Sequence, residues 1–188
     1  MTRRDLPNLI SVLRIVLVVP VTLLLWQERF TEALYLFAIA GFSDALDGYL
    51  AKRYGWTSWL GGLLDPLADK LLLVACYFTL GWLGLLPVWL VVAVLARDVI
   101  IVAGATVYHF RIARLEADPT LLSKFNTLAQ IALVLAVVFN QAISIALLPL
   151  TTALVYIVAC TTLLSGTWYV VSWSRRAWRA THPYKESA

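Results

Sequence analysis

The chain has 188 residues, of which 61% are hydrophobic and 14% charged, and its formal net charge is +4. Soluble domains carry about 25% charged residues, so this composition excludes an ordinary soluble domain and favours a protein embedded in a membrane. The basic excess favours contact with anionic lipid, and no motif predicts a nucleic-acid partner. A chain of this length has room for about six apolar segments of bilayer length and for no second domain.

Six apolar segments follow one another and predict an all-α integral membrane protein, with residues 1–188 forming a single six-helix transmembrane domain. The predicted helices span residues 9–26, 33–51, 60–80, 86–109, 124–147 and 149–172. Gly, Pro and small polar residues separate them, as at Gly81, Gly84 and Pro87. The first segment has a basic start, but no small-residue cleavage site follows, so we expect it to be retained as a membrane helix.

Basic residues concentrate in alternate connections and predict the orientation of the helices. The N-terminus, the second and fourth connections and the tail contain Arg3, Arg4, Lys52, Arg53, Arg111, Arg114, Lys124, Arg175, Arg176, Arg179 and Lys185. The other connections contain Arg29, beside Glu28 and Glu32. Both termini are therefore expected in the cytoplasm, which agrees with an even number of helices.

Four aspartates interrupt the second and third apolar segments: Asp44, Asp47, Asp65 and Asp69. One carboxylate at the bilayer centre costs about 2.5–3.5 kcal/mol on insertion scales, so four of them need a compensating partner. Asp44 and Asp47 are spaced i, i+3, and Asp65 and Asp69 are spaced i, i+4, so each pair shares a helix face. Because a short connection joins the two helices, all four carboxylates are expected to converge just beneath the cytoplasmic surface.

Four converging carboxylates cannot all remain ionised without a cation. The basic residues close to them in sequence are Lys52, Arg53 and Lys70, which are too few to neutralise a dry cluster. Oxygen ligands suit hard divalent ions, so we expect two Mg²⁺ or Mn²⁺ ions that would neutralise a diphosphate. Gly48 and Gly61 flank the acids and leave room for a ligand to approach the backbone.

The pattern Asp44-x2-Asp47-Gly48-x2-Ala51-Lys52-x8-Gly61-x3-Asp65-x3-Asp69 resembles the signature of the CDP-alcohol phosphotransferase family. Every spacing agrees, and the one departure is Lys52, where the family usually has Arg. The resemblance implies a homodimer of six-helix chains that transfers a phosphatidyl or similar group from a CDP-linked donor to an alcohol and releases CMP. It also implies site roles: Asp44, Asp47, Asp65 and Asp69 as ligands of two metal ions, Asp69 as the catalytic general base, and Asp47, Gly48, Ala51, Lys52 and Gly61 as the donor-binding residues.

Three further stretches are similar to particular branches of that family. Residues 7–14, Pro-Asn-Leu-Ile-Ser-x2-Arg, resemble the opening of phosphatidylglycerophosphate synthases and cardiolipin synthases. Residues 96–99, Ala-Arg-Asp-Val, and residues 122–127, Leu-Ser-Lys-Phe-Asn-Thr, look more like eukaryotic-type cardiolipin synthases. The other branch, the phosphatidylglycerophosphate synthases, tends to have Arg-Glu in the first of these two stretches and Gly-Lys-x-Lys-Thr in the second. The resemblance therefore implies CDP-diacylglycerol as donor and phosphatidylglycerol as acceptor, with glycerol 3-phosphate as the alternative acceptor.

Basic residues outside the signature are candidates for binding the acceptor: Arg97, Lys124, Arg111 and Arg114. Each has a structural alternative. Arg97 could pair with Asp98, Ser123 could cap the fifth helix, and the other three basic residues could mark the membrane interface. The expected protein is a multi-pass enzyme of a bacterial inner membrane, with membrane lipids as partners and its site at the cytoplasmic face.

A cation- or proton-coupled transporter is the rival function, because intramembrane acids also serve such proteins. Transporter sites lie near the bilayer midplane between inverted repeats, whereas these acids are predicted near one face and no repeat is visible. The two cysteines, Cys76 and Cys160, lie in apolar segments and are expected to be small buried hydrophobic residues.

Overall fold

A computed structural model describes the backbone of residues 6–54, 59–111, 121–143 and 148–181. Within these ranges it describes all side chains except those of residues 6–11, 44–54, 59–67, 69, 105–111, 173 and 175–181. The helices are α1 Leu6–Trp26, α2 Phe30–Tyr54, α3 Trp59–Trp82, α4 Val88–Arg111, α5 Leu121–Ile143 and α6 Leu148–Thr181. The described ranges contain no strand, so the all-α prediction is confirmed for them.

The six helices correspond to the six apolar segments, and the largest differences lie at the ends of α5 and α6. α5 begins at Leu121 and ends at Ile143, whereas the pattern predicts residues 124–147. Ser123 therefore lies inside the first turn, and the prediction that it caps this helix is wrong. α6 continues to Thr181, nine residues past its predicted end.

Length and composition make α5, over Leu121–Ile143, and α6, over Leu148–Ser172, suitable for crossing a membrane. Shorter apolar helices occupy Val12–Trp26, Phe30–Ser43 and Lys70–Trp82. Lipid offers no partner to a backbone N–H or C=O group, so a segment in the bilayer satisfies these groups internally, as a helix does.

Apolar side chains cover the outside of the described helices as well as their packed faces. On α1, Val16 and Val19 are exposed, whereas Val21 and Leu25 are fully buried. A helix that is apolar all round is typical of a membrane environment. Cys160 is also exposed, so the prediction that it is buried is wrong; Cys76 is buried, as predicted.

The described chain divides into two compact units, of which the first comprises Met1–Val88 and Val134–Thr151. In this unit α1 packs against both α2 and α3. Trp26, the last residue of α1, stacks on Trp82, the last residue of α3, with ring centroids 6.1 Å apart. The two helices therefore run parallel, with these tryptophans at their ends.

Tight turns end α1 and α3 in the first unit. The Arg29 N–H donates to the carbonyl oxygen of Leu24 at 2.9 Å, and Glu28 has a φ of 58°. Gly84 takes the same left-handed conformation after α3, with a φ of 71°. Such a residue satisfies the last carbonyl groups of a helix and reverses the chain. Because α2 begins at Phe30, directly after the first turn, it runs antiparallel to α1.

The second unit comprises Trp89–Leu133 and Thr152–Ala188, so it contains α4, the first half of α5 and most of α6. Its described core mixes apolar and polar side chains. The buried polar residues are Arg97, Asn126, Gln130, Thr161, Thr162 and Ser165. Buried polar groups need hydrogen-bond partners in an apolar environment, so these residues are expected to form networks between helices.

Candidate functional site

The four aspartates of the signature lie on α2 and α3 of the first unit. Asp44 and Asp47 precede the last residue of α2 by ten and seven residues, and Asp65 and Asp69 follow the first residue of α3 by six and ten residues. At 1.5 Å per residue these positions lie about 15, 10, 9 and 15 Å along their helices from those ends. Asp47 and Asp65 therefore lie at about the same distance from the connected ends of α2 and α3, and so do Asp44 and Asp69.

Helix directions in the first unit agree with this matching. α2 runs antiparallel to α1, and α3 runs parallel to α1, so α2 and α3 are antiparallel to each other. The donor set consists of carboxylates, which are the oxygen ligands that Mg²⁺ and Mn²⁺ prefer, and it therefore fits a pair of such ions. The side chains of these aspartates lie outside the described residues, as do those of Gly48, Ala51, Lys52 and Gly61, so their metal, base and donor roles stay predictions.

Arg14 is a buried cation at the depth of the aspartates that sequence reasoning did not assign to the site. Arg14 is only 2% exposed. It precedes Trp26 by twelve residues, and Asp69 precedes Trp82 by thirteen residues. Because these two tryptophans stack at the parallel ends of α1 and α3, Arg14 and Asp69 lie at nearly the same depth. The sequence could have indicated Arg14 as a site residue, because an arginine inside an apolar segment is rare.

Arg97 of α4 is buried in the second unit, where three side-chain oxygens accept its hydrogen bonds. Its Nη1 donates to Oδ1 of Asp98 at 2.7 Å, and its Nη2 donates to Oγ of Ser123 and to Oγ of Ser165, each at 2.7 Å. The structural pair with Asp98 is therefore present. Three of the five guanidinium N–H groups are occupied in this way, and the proposed acceptor contact of Arg97 stays a prediction.

Asn126 connects α5 to α6 inside the second unit. Its side chain is fully buried, and its Oδ1 accepts hydrogen bonds from Oγ1 of Thr161 at 2.7 Å and Oγ1 of Thr162 at 3.0 Å. Its Nδ2 has no hydrogen-bond partner among the described residues. A neutral amide thus lies at the place where the other branch of the family tends to have a lysine. The sequence does not single out these threonines, because Thr is ordinary in a membrane helix.

The structure describes only some of the other residues that are candidates for binding the acceptor. Lys124 is exposed in the first turn of α5. Arg111 is the last residue of α4 and its side chain lies outside the described residues, as does the whole of Arg114. The structure therefore brings Arg97 together with Ser123 and leaves the acceptor roles of the other basic residues as predictions.

Comparisons with known proteins agree with the pattern of aspartates. The model of the CDP-alcohol phosphatidyltransferase family matches residues 4–175. The cardiolipin synthase (CMP-forming) of Rattus norvegicus is 38% identical over 160 residues, which cover 74% of this chain and 53% of that protein. The protein of the same name from Streptomyces coelicolor is 39% identical over 102 residues, which cover 50% of this chain and 46% of that protein.

A relative named for a different activity is also similar. The CDP-diacylglycerol–glycerol-3-phosphate 3-phosphatidyltransferase 1, chloroplastic, of Oryza sativa subsp. japonica is 34% identical over 149 residues, which cover 70% of this chain and 45% of that protein. The chain spans about half the length of the curated relatives it matches. The family match extends over all four aspartates and over Arg97. The chain therefore belongs to the CDP-alcohol phosphatidyltransferase family.

Proposed function

We propose that the protein is a cardiolipin synthase, which transfers the phosphatidyl group of CDP-diacylglycerol to phosphatidylglycerol and releases CMP. The observation that carries this proposal is the set of four aspartates at two matched depths on the antiparallel helices α2 and α3. Similarity to the cardiolipin synthases of Rattus norvegicus and Streptomyces coelicolor supports the choice of acceptor.

The proposed reaction is a displacement at the phosphorus atom that carries diacylglycerol. A hydroxyl oxygen of phosphatidylglycerol forms a new bond to this phosphorus, and the bond from the phosphorus to the oxygen of CMP breaks. CMP leaves with the bonding electron pair, and the carboxylate of Asp69 accepts the hydroxyl proton as general base. The phosphatidyl group is then attached to phosphatidylglycerol, and the product is cardiolipin. No oxidant or reductant is needed.

The aspartates are proposed to act together on the diphosphate of the donor. Asp44, Asp47, Asp65 and Asp69 would hold two Mg²⁺ or Mn²⁺ ions, which supply neutralisation of the diphosphate charge when bound. Asp47, Gly48, Ala51, Lys52 and Gly61 would contact the cytidine and phosphate end. Support for this assignment comes from the helical positions of these residues and from their carboxylate and glycine chemistry.

The proposal also includes a position in the membrane. We infer six membrane spans, cytoplasmic termini, a homodimer, and a site at the cytoplasmic face of a bacterial inner membrane. The lengths of α5 and α6 and the apolar surfaces of the described helices support a membrane location. The alternation of basic connections supports the orientation.

Synthesis of phosphatidylglycerophosphate is the second candidate, and the similarity to the Oryza sativa protein favours it. Its acceptor, glycerol 3-phosphate, is a dianion near neutral pH and needs several cations, whereas phosphatidylglycerol carries one charge. In the second unit Arg97 forms an ion pair with Asp98, and Asn126 is a neutral amide. Together with the exposed Lys124, these described residues offer few cations for a dianion, which favours the acceptor with one charge.

A competition assay tests the choice between the two acceptors. The purified chain would receive CDP-diacylglycerol, Mg²⁺, and equal amounts of phosphatidylglycerol and glycerol 3-phosphate, and the lipid products would be separated. We expect cardiolipin as the main product. Phosphatidylglycerophosphate as the main product would move the assignment to the second candidate.

A chelator tests the metal requirement in the same assay. Excess EDTA should stop the release of CMP, and either Mg²⁺ or Mn²⁺, added beyond the chelator, should restore it, because the diphosphate charge would otherwise be uncompensated. Ca²⁺ serves as a control ion, since its coordination is larger and more flexible than the octahedral shell of Mg²⁺. Full turnover in excess EDTA would contradict the two-metal site.

A further inference from the structure

Arg14 of α1 is a buried cation on the packed face of an apolar helix. It is 2% exposed, and Val21 and Leu25, which follow it by seven and eleven residues, are fully buried. Residues with this spacing share one face of a helix. In the first unit α1 packs against α2 and α3, so the face that contains Arg14 is turned toward the two helices that carry the aspartates.

A buried guanidinium group needs an anionic partner. It cannot lose its proton in a protein, and charged groups are rarely buried unless they are paired. α1 contains no acidic residue. Among the described side chains of the first unit, the carboxylates are those of Glu28 and Glu32, which are exposed beyond the far end of α1. About 18 Å of helix separates Arg14 from that end, more than an arginine side chain can span.

The other acidic residues of the first unit are Asp5, which precedes α1, and the four aspartates of α2 and α3. Asp69 matches Arg14 most closely in depth. From the stacked tryptophans that end α1 and α3, Arg14 lies twelve residues back and Asp69 thirteen, a difference of about 1.5 Å along the helix axes. Asp65 lies about 6 Å further along α3, and Asp44 lies about 21 Å from the start of α2.

Helix faces agree with the pairing of Arg14 and Asp69. Cys76 and Leu80 are fully buried and follow Asp69 by seven and eleven residues, the same spacing as on α1. The position of Asp69 is therefore on the packed face of α3. Because α1 and α3 are parallel and pack against each other, the two positions occupy equivalent places on neighbouring helices.

We propose that Arg14 is a positioning residue, whose guanidinium group pairs with the carboxylate of Asp69 and holds it in place. The role in turnover rests on the proposed function, whereas the ion pair itself does not. A carboxylate has two oxygens with about four lone-pair positions, so an N–H group of Arg14 leaves room for a metal ion. Partners of this kind orient metal ligands, and their loss costs roughly 10–100-fold in metal affinity or activity.

A double-mutant cycle in EDTA tests the ion pair without metal or turnover. The full chain in detergent would carry Arg14→Gln, Asp69→Asn or both, and the melting temperatures would be compared. Arg14→Gln leaves a buried carboxylate without its cation, so we expect a melting temperature lower by roughly 10 °C. Asp69→Asn removes that carboxylate charge, so adding it should recover about half of the loss or more. If Arg14→Gln alone does not fold, the double variant should.

Asp65→Asn is the matched control, because Asp65 lies on the same face of α3 and is assigned as the same kind of metal ligand. Combined with Arg14→Gln, it should recover less of the melting temperature than Asp69→Asn does. Equal recovery with Asp65→Asn or Asp44→Asn would show that Arg14 compensates the aspartates as a group, and would overturn the specific pair. An absence of recovery with Asp69→Asn would overturn it as well.

Turnover in Mg²⁺ tests the positioning role. Arg14→Gln should lower kcat by roughly 10–100-fold. The KM for each lipid should change by less than about twofold, because Arg14 acts through Asp69 and touches neither substrate. Arg14→Lys keeps the charge and should restore most of the rate. A raised KM with an unchanged kcat would place Arg14 at a substrate and contradict this role. Coupling in EDTA without any synthesis of cardiolipin would contradict the proposed function and leave the ion pair supported.

Discussion

Asp69 is the residue on which the proposed chemistry depends most, because it is assigned both as metal ligand and as general base. The substitution Asp69→Asn keeps the size of the side chain and removes its charge and basicity. Loss of a general base costs roughly 10²–10⁴-fold in rate, and loss of a metal ligand adds to that. We therefore expect CMP release to fall by at least about a hundredfold, measured with purified protein of unchanged melting temperature.

Glu32→Gln is the matched control for this experiment. Glu32 lies in the first turn of α2, the helix that carries Asp44, and forms an exposed ion pair with Arg29. Exposed ion pairs contribute little to stability, so this variant should keep both its fold and its turnover. Near-normal turnover in Asp69→Asn would show that the base lies elsewhere.

Asn126 tests whether a single residue sets the choice of acceptor in this chain. The substitution Asn126→Lys introduces the residue that the other branch tends to have. Here it would place an ammonium group at a fully buried position and remove the acceptor of Thr161 and Thr162. A buried charge without a partner costs about 3–5 kcal/mol, so we expect a lower melting temperature and no gain in the use of glycerol 3-phosphate. A variant of unchanged melting temperature would contradict the expected cost of burying this charge, and a gain in the use of glycerol 3-phosphate would show that residue 126 alone sets the choice of acceptor.

The network of Arg97 shows how much of a site is visible in the sequence. The adjacent Arg97 and Asp98 suggested an ion pair, and this prediction is confirmed. The other acceptors, Ser123 and Ser165, are 26 and 68 residues away along the chain. Their convergence depends on how α4, α5 and α6 pack, which hydropathy does not determine. The four aspartates were found without the fold, because carboxylates in apolar helices are rare.

The ends of α1 and α3 provide a prediction at the scale of helices. Both end in a left-handed residue, but the first is Glu28 and the second is Gly84. A left-handed conformation costs a residue with a Cβ atom roughly 1–2 kcal/mol, and glycine avoids most of this cost. Glu28→Gly should therefore stabilise the protein by about 1 kcal/mol, and Gly84→Ala should destabilise it by about 1–2 kcal/mol.

Thermal unfolding in detergent measures both changes. Among the described residues, no atom other than those of Gly84 and its two chain neighbours would lie within 4 Å of a Cβ at this position, so the expected loss arises from the backbone conformation and not from a steric clash. Stabilities of the two variants that shift in the same direction would contradict this account of the helix ends.

The apolar pattern of the sequence predicted where the helices lie along the chain, but it did not predict where each helix ends. The segments identify α1 to α6 because a chain in lipid must satisfy its backbone internally. α6 continues to Thr181, through Arg175, Arg176 and Arg179, although its apolar segment stops near Ser172. Arg ends an apolar pattern, but it is a good helix former and does not end a helix.

The orientation of the whole molecule is tested by chemical labelling of cysteines. Cys76→Ala and Cys160→Ala provide a background without cysteine, into which Gln27→Cys or Ser187→Cys is introduced. Gln27 is exposed in the turn between α1 and α2. Because the basic connections are expected in the cytoplasm, an impermeant maleimide added to intact cells should label the cysteine at 27 and not the one at 187. Labelling of both sites, or of 187 alone, would contradict the predicted orientation.

The central claim is that the phosphatidyl group of CDP-diacylglycerol joins phosphatidylglycerol as CMP leaves, and isotope tracing tests it most directly. The purified chain would receive Mg²⁺, deuterated phosphatidylglycerol and CDP-diacylglycerol with a ¹³C-labelled glycerol, and cardiolipin and CMP would be quantified by mass spectrometry. Each cardiolipin molecule should carry both labels, and CMP should form in equal amount. Cardiolipin carrying deuterium in both halves, with free glycerol as the by-product and no CMP, would contradict the claim.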